Sequence, residues 1–436
     1  MQGGLLARLR TGKGQIGLGR LTLRLETLWQ GGWMLVATVV TGVLNYLSNV
    51  FVGRMLGPAD YSIFASMVSL SIIFMVVSGI LQTVVTNYVA RLRGLGLTSE
   101  VGALFVYVLK RLLPWSLGGA AALFLLARPL AAFLQLPSAV PVVVMTLFMI
   151  PTMFLPVVYG VQRGLQRFSA LGWTQISTAV LRLAAAIGFI AMGLGANGAV
   201  ASLPISGLGA LVVGMMLLVD VFRHQEGKTT PRLEGLFSYS INATIALVCF
   251  AVLTNGDVML VKSRFAPTEA GLYSAIAVLG KTTLWISGAV VALLLPKATE
   301  RHARGQSVIG LLRKSMLAVG VLCGSITVVF SLFPSLIVGT FFGKQYLGNA
   351  ALLGLYGLGM TLYSLVNIWL IYYLALQEKR YTYILLASVV LLATFLALCV
   401  SNLTQVVVNL ATGGFVLCLS GEFLFLANGG RLVKGG

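Results

Sequence analysis

Three ionisable residues lie where water is scarce. Arg182 sits in the middle of an apolar run over 170–193, Lys281 in the middle of one over 268–295, and Asp257 near the end of one over 238–261. A charge at the centre of a bilayer costs about 2.5–3.5 kcal/mol on insertion scales, so such a residue faces a cavity or a partner charge. Arginine grips phosphate oxygens with a planar fork and lysine offers a compact point charge; two cations in one cavity read as a receptor for an anionic group. The other reading is an ion pair between Lys281 and Asp257. These residues share a turn but stand at unequal distances from it, and at 1.5 Å per residue their depths differ by roughly 13 Å. A direct pair therefore requires a tilted or broken helix. Arg182 is too deep in its run to snorkel to the interface.

Uncharged polar residues extend this set. Asn45 and Asn49 are four apart in the first apolar run and share a helical face. Gln82 lies in the second run and Asn255 in the seventh. Amides of this kind suit the hydroxyl groups of a sugar, and they equally suit ordinary contacts between helices, worth about 0.6 kcal/mol each. Arg54 and Arg264 flank the outer mouth in matching halves, placed to meet a phosphate or a lipid headgroup. Tyr363, Trp369, Tyr372 and Tyr373, near the inner end of the tenth run, read as an interfacial aromatic belt.

The elements that hold these residues follow from composition. Of the 436 residues, 58% are hydrophobic and 9% are charged, against about 25% charged in a soluble domain. That excludes a soluble enzyme, a disordered chain and a soluble nucleic-acid binder, despite a net charge of +19. About twelve runs are long enough to cross a bilayer, each near 20 residues. The connections assigned to the cytoplasm hold 23 Lys and Arg and those assigned outside hold 5. By the positive-inside rule both termini are then cytoplasmic, and most of the basicity reports orientation and contact with anionic lipid headgroups. The expected organisation is an amphipathic interfacial segment over 1–30, a six-helix lobe over 31–221 and a polar linker over 222–237. A second six-helix lobe follows over 238–427, with a tail over 428–436. Pro141, Pro151 and Pro156 predict a kinked or broken fourth span.

The two lobes carry a repeat. A shift of 209 residues superposes VGRMLGPADYSIFAS (52–66) on VKSRFAPTEAGLYSA (261–275). Val52 meets Val261, Pro58 meets Pro267, Asp60 meets Glu269 and Phe64 meets Tyr273. Each segment follows the first helix of a six-helix half. An even number of spans per half gives parallel repeats about an axis along the membrane normal. The fold expected is an all-α polytopic membrane protein of two such lobes.

With LGPADYSIFA after the first span and DVMLVKSRFAPTEAGLYSAIAVLGK over 257–281, the chain resembles the oligosaccharide (polysaccharide) flippase family. That family belongs to the multidrug, oligosaccharidyl-lipid and polysaccharide (MOP) exporter superfamily. The resemblance implies a bacterial inner-membrane transporter with a MATE-like fold. It would flip an isoprenoid-pyrophosphate-linked oligosaccharide to the outer leaflet by alternating access, beside polysaccharide polymerases or glycosyltransferases. A second reading within the superfamily is a cation-coupled multidrug exporter, which would favour acidic cavity residues. A reading of another class is a membrane-embedded glycosyltransferase or polymerase subunit, which would want outer acids to hold a metal. Only Asp60 and Glu269 lie outside, each in a turn beside proline, where helix capping accounts for them. No HExxH, GxSxG or complete Walker loop occurs. The chain is thus read as a non-enzyme with no cofactor, driven by an H+ or Na+ gradient, the membrane potential or consumption of product.

Overall fold

The computed structural model describes residues 3–223, 236–288, 290, 309–376, 378–398 and 400–427, with side chains from residue 32 onward except over 236–241 and 396–398. All regular elements among them are helical. The first, α1 (Gly3–Gly94), is two helices merged at Gly57, whose φ of 75° lies in the left-handed region that only glycine enters at no cost. Pro58 then opens the second arm, where its missing N–H is no loss. The amphipathic segment expected over 1–30 is helical over its described residues, 3–30, and continues into the first span; its side chains lie outside the described ones.

The first half continues with α2 (Glu100–Leu125), α3 (Ala127–Phe133), α4 (Val140–Thr146), α5 (Met149–Gly164), α6 (Phe168–Ala191), α7 (Gly195–Met216) and α8 (Val219–Arg223). The broken fourth span is present as α4 and α5. The third span begins earlier than position 113, because α2 absorbs residues 100–112 and passes through Pro114 without stopping. The second half holds α9 (Leu236–Arg264), α10 (Pro267–Gly280), α11 (Ile309–Leu332), α12 (Pro334–Phe341), α13 (Leu352–Ala375), α14 (Arg380–Leu398) and α15 (Leu403–Ala427). A 3-10 turn, Lys344–Asn349, links α12 to α13. Helix resumes after α10 over 282–288. Nine of the described helices are long and apolar enough to cross a membrane, the first of them holding both arms of α1. With α10 and the shorter apolar α14, the count agrees with about twelve spans. Most of the 222–237 linker and the whole 428–436 tail lie outside the described residues.

The halves pack chiefly through α1 against α9 and α10. One buried apolar cluster runs through both halves and includes Val52, Tyr61 and Phe64 with Val261, Tyr273 and Phe342. A second, from Val85 to Leu218, belongs to the first half alone. The shared core joins the halves at the end of the bundle where residues 54–60, 262–269 and 340–349 meet, called here the turn end, and continues through the second half to Tyr381 and Phe425. The Val85–Leu218 core sits toward the opposite, basic end. Repeat positions match in burial: Val52 and Val261, then Phe64 and Tyr273, are fully or almost fully buried, while Asp60 and Glu269 are exposed.

At the turn end the contact is close. A Cβ built on Gly271 of α10 would fall on the carbonyl of Pro58 in α1. The absence of a side chain at Gly271 is what lets the second arm of α1 cross α10 there. Gly271→Ala should lower thermal stability by about 1–3 kcal/mol, the usual cost of overpacking. Gly79→Ala, where a Cβ would meet nothing within 4 Å, should melt like the parent protein. Equal melting temperatures for the two variants would contradict this account of the turn-end contact.

Candidate functional site

Seven residues before the end of α9, about 10 Å below the turn end, stands Asp257. Six residues into α10, at nearly the same depth, stands Tyr273. The Tyr273 hydroxyl donates to Asp257 Oδ2 at 2.9 Å, and the Tyr356 hydroxyl, from α13, donates to the same oxygen at 2.8 Å. On the other carboxylate oxygen, Lys281 Nζ approaches Oδ1 at 3.4 Å and Asn255 Oδ1 at 3.4 Å. The Asp257 side chain is fully buried, and that of Lys281 is 11% exposed. The direct pair, for which depth arithmetic requires a tilted or broken helix, is made. α9 ends three residues, less than one turn, beyond the apolar run, and α10 is interrupted at Lys281 itself, whose N–H closes on the Ala277 carbonyl. Side-chain direction does the rest. Every Cα–Cβ bond tilts toward its helix N-terminus, and α9 and α10 run in opposite directions, so Asp257 and Lys281 reach toward each other.

A second charge occupies the first half. The Arg182 guanidinium lies over the Phe64 ring, 5.8 Å from its centroid. Its Nε and Nη2 are buried and make no hydrogen bond among the described residues. The Tyr61 hydroxyl is also buried with no hydrogen-bond partner among the described residues. Ser48 Oγ and Asn49 Oδ1, buried on the first arm of α1, share that condition. Asn49 Nδ2 donates to the Asn45 carbonyl at 2.8 Å, so the expected common face is present. In the second half a buried acid has three donors. In the first, a buried cation and several neutral groups have open valences.

The sequence-derived candidates therefore divide. Asp257, Lys281 and Asn255 form one cluster, joined by Tyr273 and Tyr356, which sequence reasoning passed over. Arg182 is not among them and lies over Phe64 of the second arm of α1. Arg182 Nε and Nη2 are buried, and the Lys281 side chain is 11% exposed. Gln82 is 24 residues beyond Pro58, about 36 Å along its helix, and is not brought to this layer. Arg54 is exposed and bonded to protein: its Nε donates to the Phe341 carbonyl at 2.6 Å and its Nη2 to that of Thr340. These carbonyls end α12, where a cation complements the helix dipole. Tyr346 donates to the Gly53 carbonyl at 2.7 Å and Gln135 to that of Ser263 at 2.9 Å, so the halves are bonded together at the turn end. Arg264 is exposed and lines a shallow open cavity with Glu269, Gln135 and Ser401.

The aromatic group of the tenth span is not an interfacial belt. Trp369, Tyr372 and Tyr373 are buried and pack on one another and on Tyr381 and Phe425. Tyr373 donates to the Gly421 carbonyl at 2.7 Å, which binds α13 to α15. Among the described residues no three His, Cys, Asp or Glu side chains gather as metal ligands.

Comparison with known proteins places this geometry. The family described as polysaccharide biosynthesis protein matches residues 28–302. No curated protein matches the chain in sequence. Among solved structures, an inward-facing MATE multidrug resistance transporter of the MOP superfamily superposes with a TM-score of 0.73. It is 12% identical and covers 92% of this chain and 99% of its own. The lipid II flippase MurJ, in an inward closed conformation, gives 0.66 at 14% identity, covering 90% of this chain and 87% of its own. A MOP superfamily transporter from Pyrococcus furiosus, with a binding pocket of reverse polarity, gives 0.58 at 15% identity. It covers 92% of this chain and 95% of its own. These likenesses are of fold.

Removing one member of a buried ion pair costs about 3–5 kcal/mol, because the other is left uncompensated. Asp257→Ala should therefore destabilise the protein strongly. Asp257→Ala combined with Lys281→Ala should recover part of the loss in a thermal melt. A double variant that melts below the Asp257→Ala single variant would show that the two side chains are not coupled.

Proposed function

The chain belongs to the polysaccharide biosynthesis protein family and is a multi-pass membrane protein with the MOP transporter fold; on that premise we propose that it flips a lipid-linked oligosaccharide across the bacterial plasma membrane. The substrate is an isoprenoid-pyrophosphate glycan used in cell-surface polysaccharide biosynthesis. Both termini are cytoplasmic, the basic end of the bundle faces the cytoplasm, and the turn end faces outward. Anionic lipids contact the basic connections, and polymerases or glycosyltransferases act on either side of the step. The protein itself makes or breaks no covalent bond.

The observation that carries this reading is Arg182. A buried guanidinium with unused donors is costly, and the unpartnered Tyr61, Ser48 and Asn49 groups lie at similar depth. A phosphate group supplies the missing acceptors, and sugar hydroxyls suit the neutral groups. The closed turn end and separate basic-end core fit a site entered from the cytoplasmic side. Opening of the Arg54, Tyr346 and Gln135 bonds would then release the substrate outward, and Arg264 would meet it there. Lys281, Asp257 and Asn255 border the same layer as a charge-balanced group, with Asn45 and Gln82 farther along the path.

The multidrug-exporter reading requires an acid free to meet an organic cation. Asp257 is already engaged by Lys281 and two tyrosines, which favours the anionic substrate. The glycosyltransferase reading rests on Asp60 and Glu269, and their joint replacement by alanine should leave transport largely intact.

The decisive variant is Arg182→Leu. Hydrogen bonds to charged groups are worth about 1.5–3 kcal/mol, so flipping of a labelled isoprenyl-pyrophosphate oligosaccharide in proteoliposomes should fall roughly 10- to 100-fold. The melting temperature should hold or rise, because an uncompensated buried charge has been removed. Parental flipping by Arg182→Leu would refute the anion-receptor reading.

A further inference from the structure

Each half clasps the other at the turn end, and the two clasps are built alike. The connection after the third span of each half turns at a residue of positive φ, Gln135 at 49° and Gly343 at 99°. From that turn a side chain donates to a carbonyl near the end of the other half's first span: Gln135 to Ser263 and Tyr346 to Gly53. The turning residues fall within one residue of the 209-residue shift, and so do the two acceptors.

The clasps differ in what lies beneath them. Gln135 is exposed, whereas Tyr346 and Phe342 are fully buried. The Phe342 ring covers the bare backbone of Gly53, where a Cβ would fall 2.7 Å from it. Tyr61, from the second arm of α1, packs on both rings, 5.5 Å from Phe342 and 6.1 Å from Tyr346 between centroids. It also packs on Phe64 at 6.2 Å, the ring over which the Arg182 guanidinium lies. Four aromatic rings thus join Arg182 to the bond on Gly53. The exposed clasp lacks such a chain. The same shift places Ala270, Phe133 and Pro137 at the positions of Tyr61, Phe342 and Tyr346, and Phe133 is 50% exposed.

We infer that Tyr61 is the trigger of the buried clasp: it senses whether the Arg182 site is occupied, and holds or releases the segment from Phe342 to Tyr346 accordingly. The inference rests on the anion-site reading of Arg182 and adds its regulation. In the empty site the guanidinium is directed at the face of Phe64. A phosphate competes for that charge through stronger, charge-assisted hydrogen bonds, and the hold on the ring weakens. The Tyr61 hydroxyl, buried without a hydrogen-bond partner among the described residues, gains an acceptor by turning toward the bound group. A ligand shifts a two-state element by the difference in its affinity for the two states. Here that difference is the bond Tyr61 gains on turning away from Phe342 and Tyr346. Those rings then lose an aromatic contact each, and the bond to Gly53 opens. Tyr61 is in this sense a positioning residue.

The test is backbone hydrogen exchange of the full chain in detergent, with and without the labelled isoprenyl-pyrophosphate oligosaccharide, whose binding is read on the same samples. Exchange is followed over 340–350 at the buried clasp and over 130–138 at the exposed one. In the parent, the oligosaccharide should speed exchange over 340–350 by about 5-fold or more, the usual lower size of coupling between sites. Without it, Tyr61→Leu should exchange there roughly 10-fold faster than the parent, having lost two ring contacts. Adding the oligosaccharide should change that variant no further, and 130–138 should stay as in the parent. Tyr61→Phe, which keeps the rings in contact, should be protected like the parent and lose most of the response. A parental response by Tyr61→Phe overturns the inference, and decides it alone if Tyr61→Leu fails to accumulate. Faster exchange of Tyr61→Leu at both clasps also overturns it, as a sign of general loosening. Arg182-dependent binding with no change over 340–350 in the parent overturns the trigger and leaves the flippase reading standing. No Arg182-dependent binding by the parent overturns the flippase reading and the trigger with it.

Discussion

The constraint on which the rest of this structure depends is the cost of holding charge inside a hydrocarbon layer. The protein meets it in two ways at nearly one depth. In the second half, Asp257 is surrounded by an ammonium and two hydroxyl donors, and its burial is compensated within the protein. In the first half, the Arg182 guanidinium has an aromatic face on one side and open donors. The compensated group stabilises the contact of α9, α10 and α13. The uncompensated group stores binding capacity. Antiparallel helices make the first possible, since their side chains lean toward each other, and a complementary acid withheld from α6 makes the second.

The main lines of both sites are legible in the sequence. Mid-span charges are rare enough that Arg182, Asp257 and Lys281 single themselves out, and the 209-residue repeat marks the two halves through Pro58 and Pro267. The helix count follows from apolar run length. What is not legible involves direction and distance along the chain. Depth counted by residue ignores the tilt of Cβ, so Asp257 and Lys281 look too far apart. Arg54 finds its acceptors 287 and 286 residues away, beyond any local pattern. Tyrosines in apolar spans resemble packing residues, so Tyr356 gives no local sign, and Trp369 and Tyr373 look interfacial when they are core. One signal for Tyr273 was present. It aligns with Phe64, and a hydroxyl appearing in one half only is a reason to look for its acceptor.

That correspondence also shows how one framework holds two chemistries. Phe64 and Tyr273 occupy the same place in their halves and are equally buried. The first covers a cation with its ring, and the second donates a proton to a carboxylate. A single oxygen atom separates the two roles. The proline turns and the buried positions beside them match between the halves, and the Phe64 ring and the Tyr273 hydroxyl lie about 10 Å below the turn end.

The approach of Gly271 to the Pro58 carbonyl has a further consequence. A contact made by a bare Cα against a carbonyl has no rotamers on either face. Parting it frees no side chain, and remaking it immobilises none, so the side-chain entropy that ordinarily resists the rejoining of packed surfaces is absent there. The crossing of α1 and α10 is a bearing: close in fit, smooth, and indifferent to how often it is used.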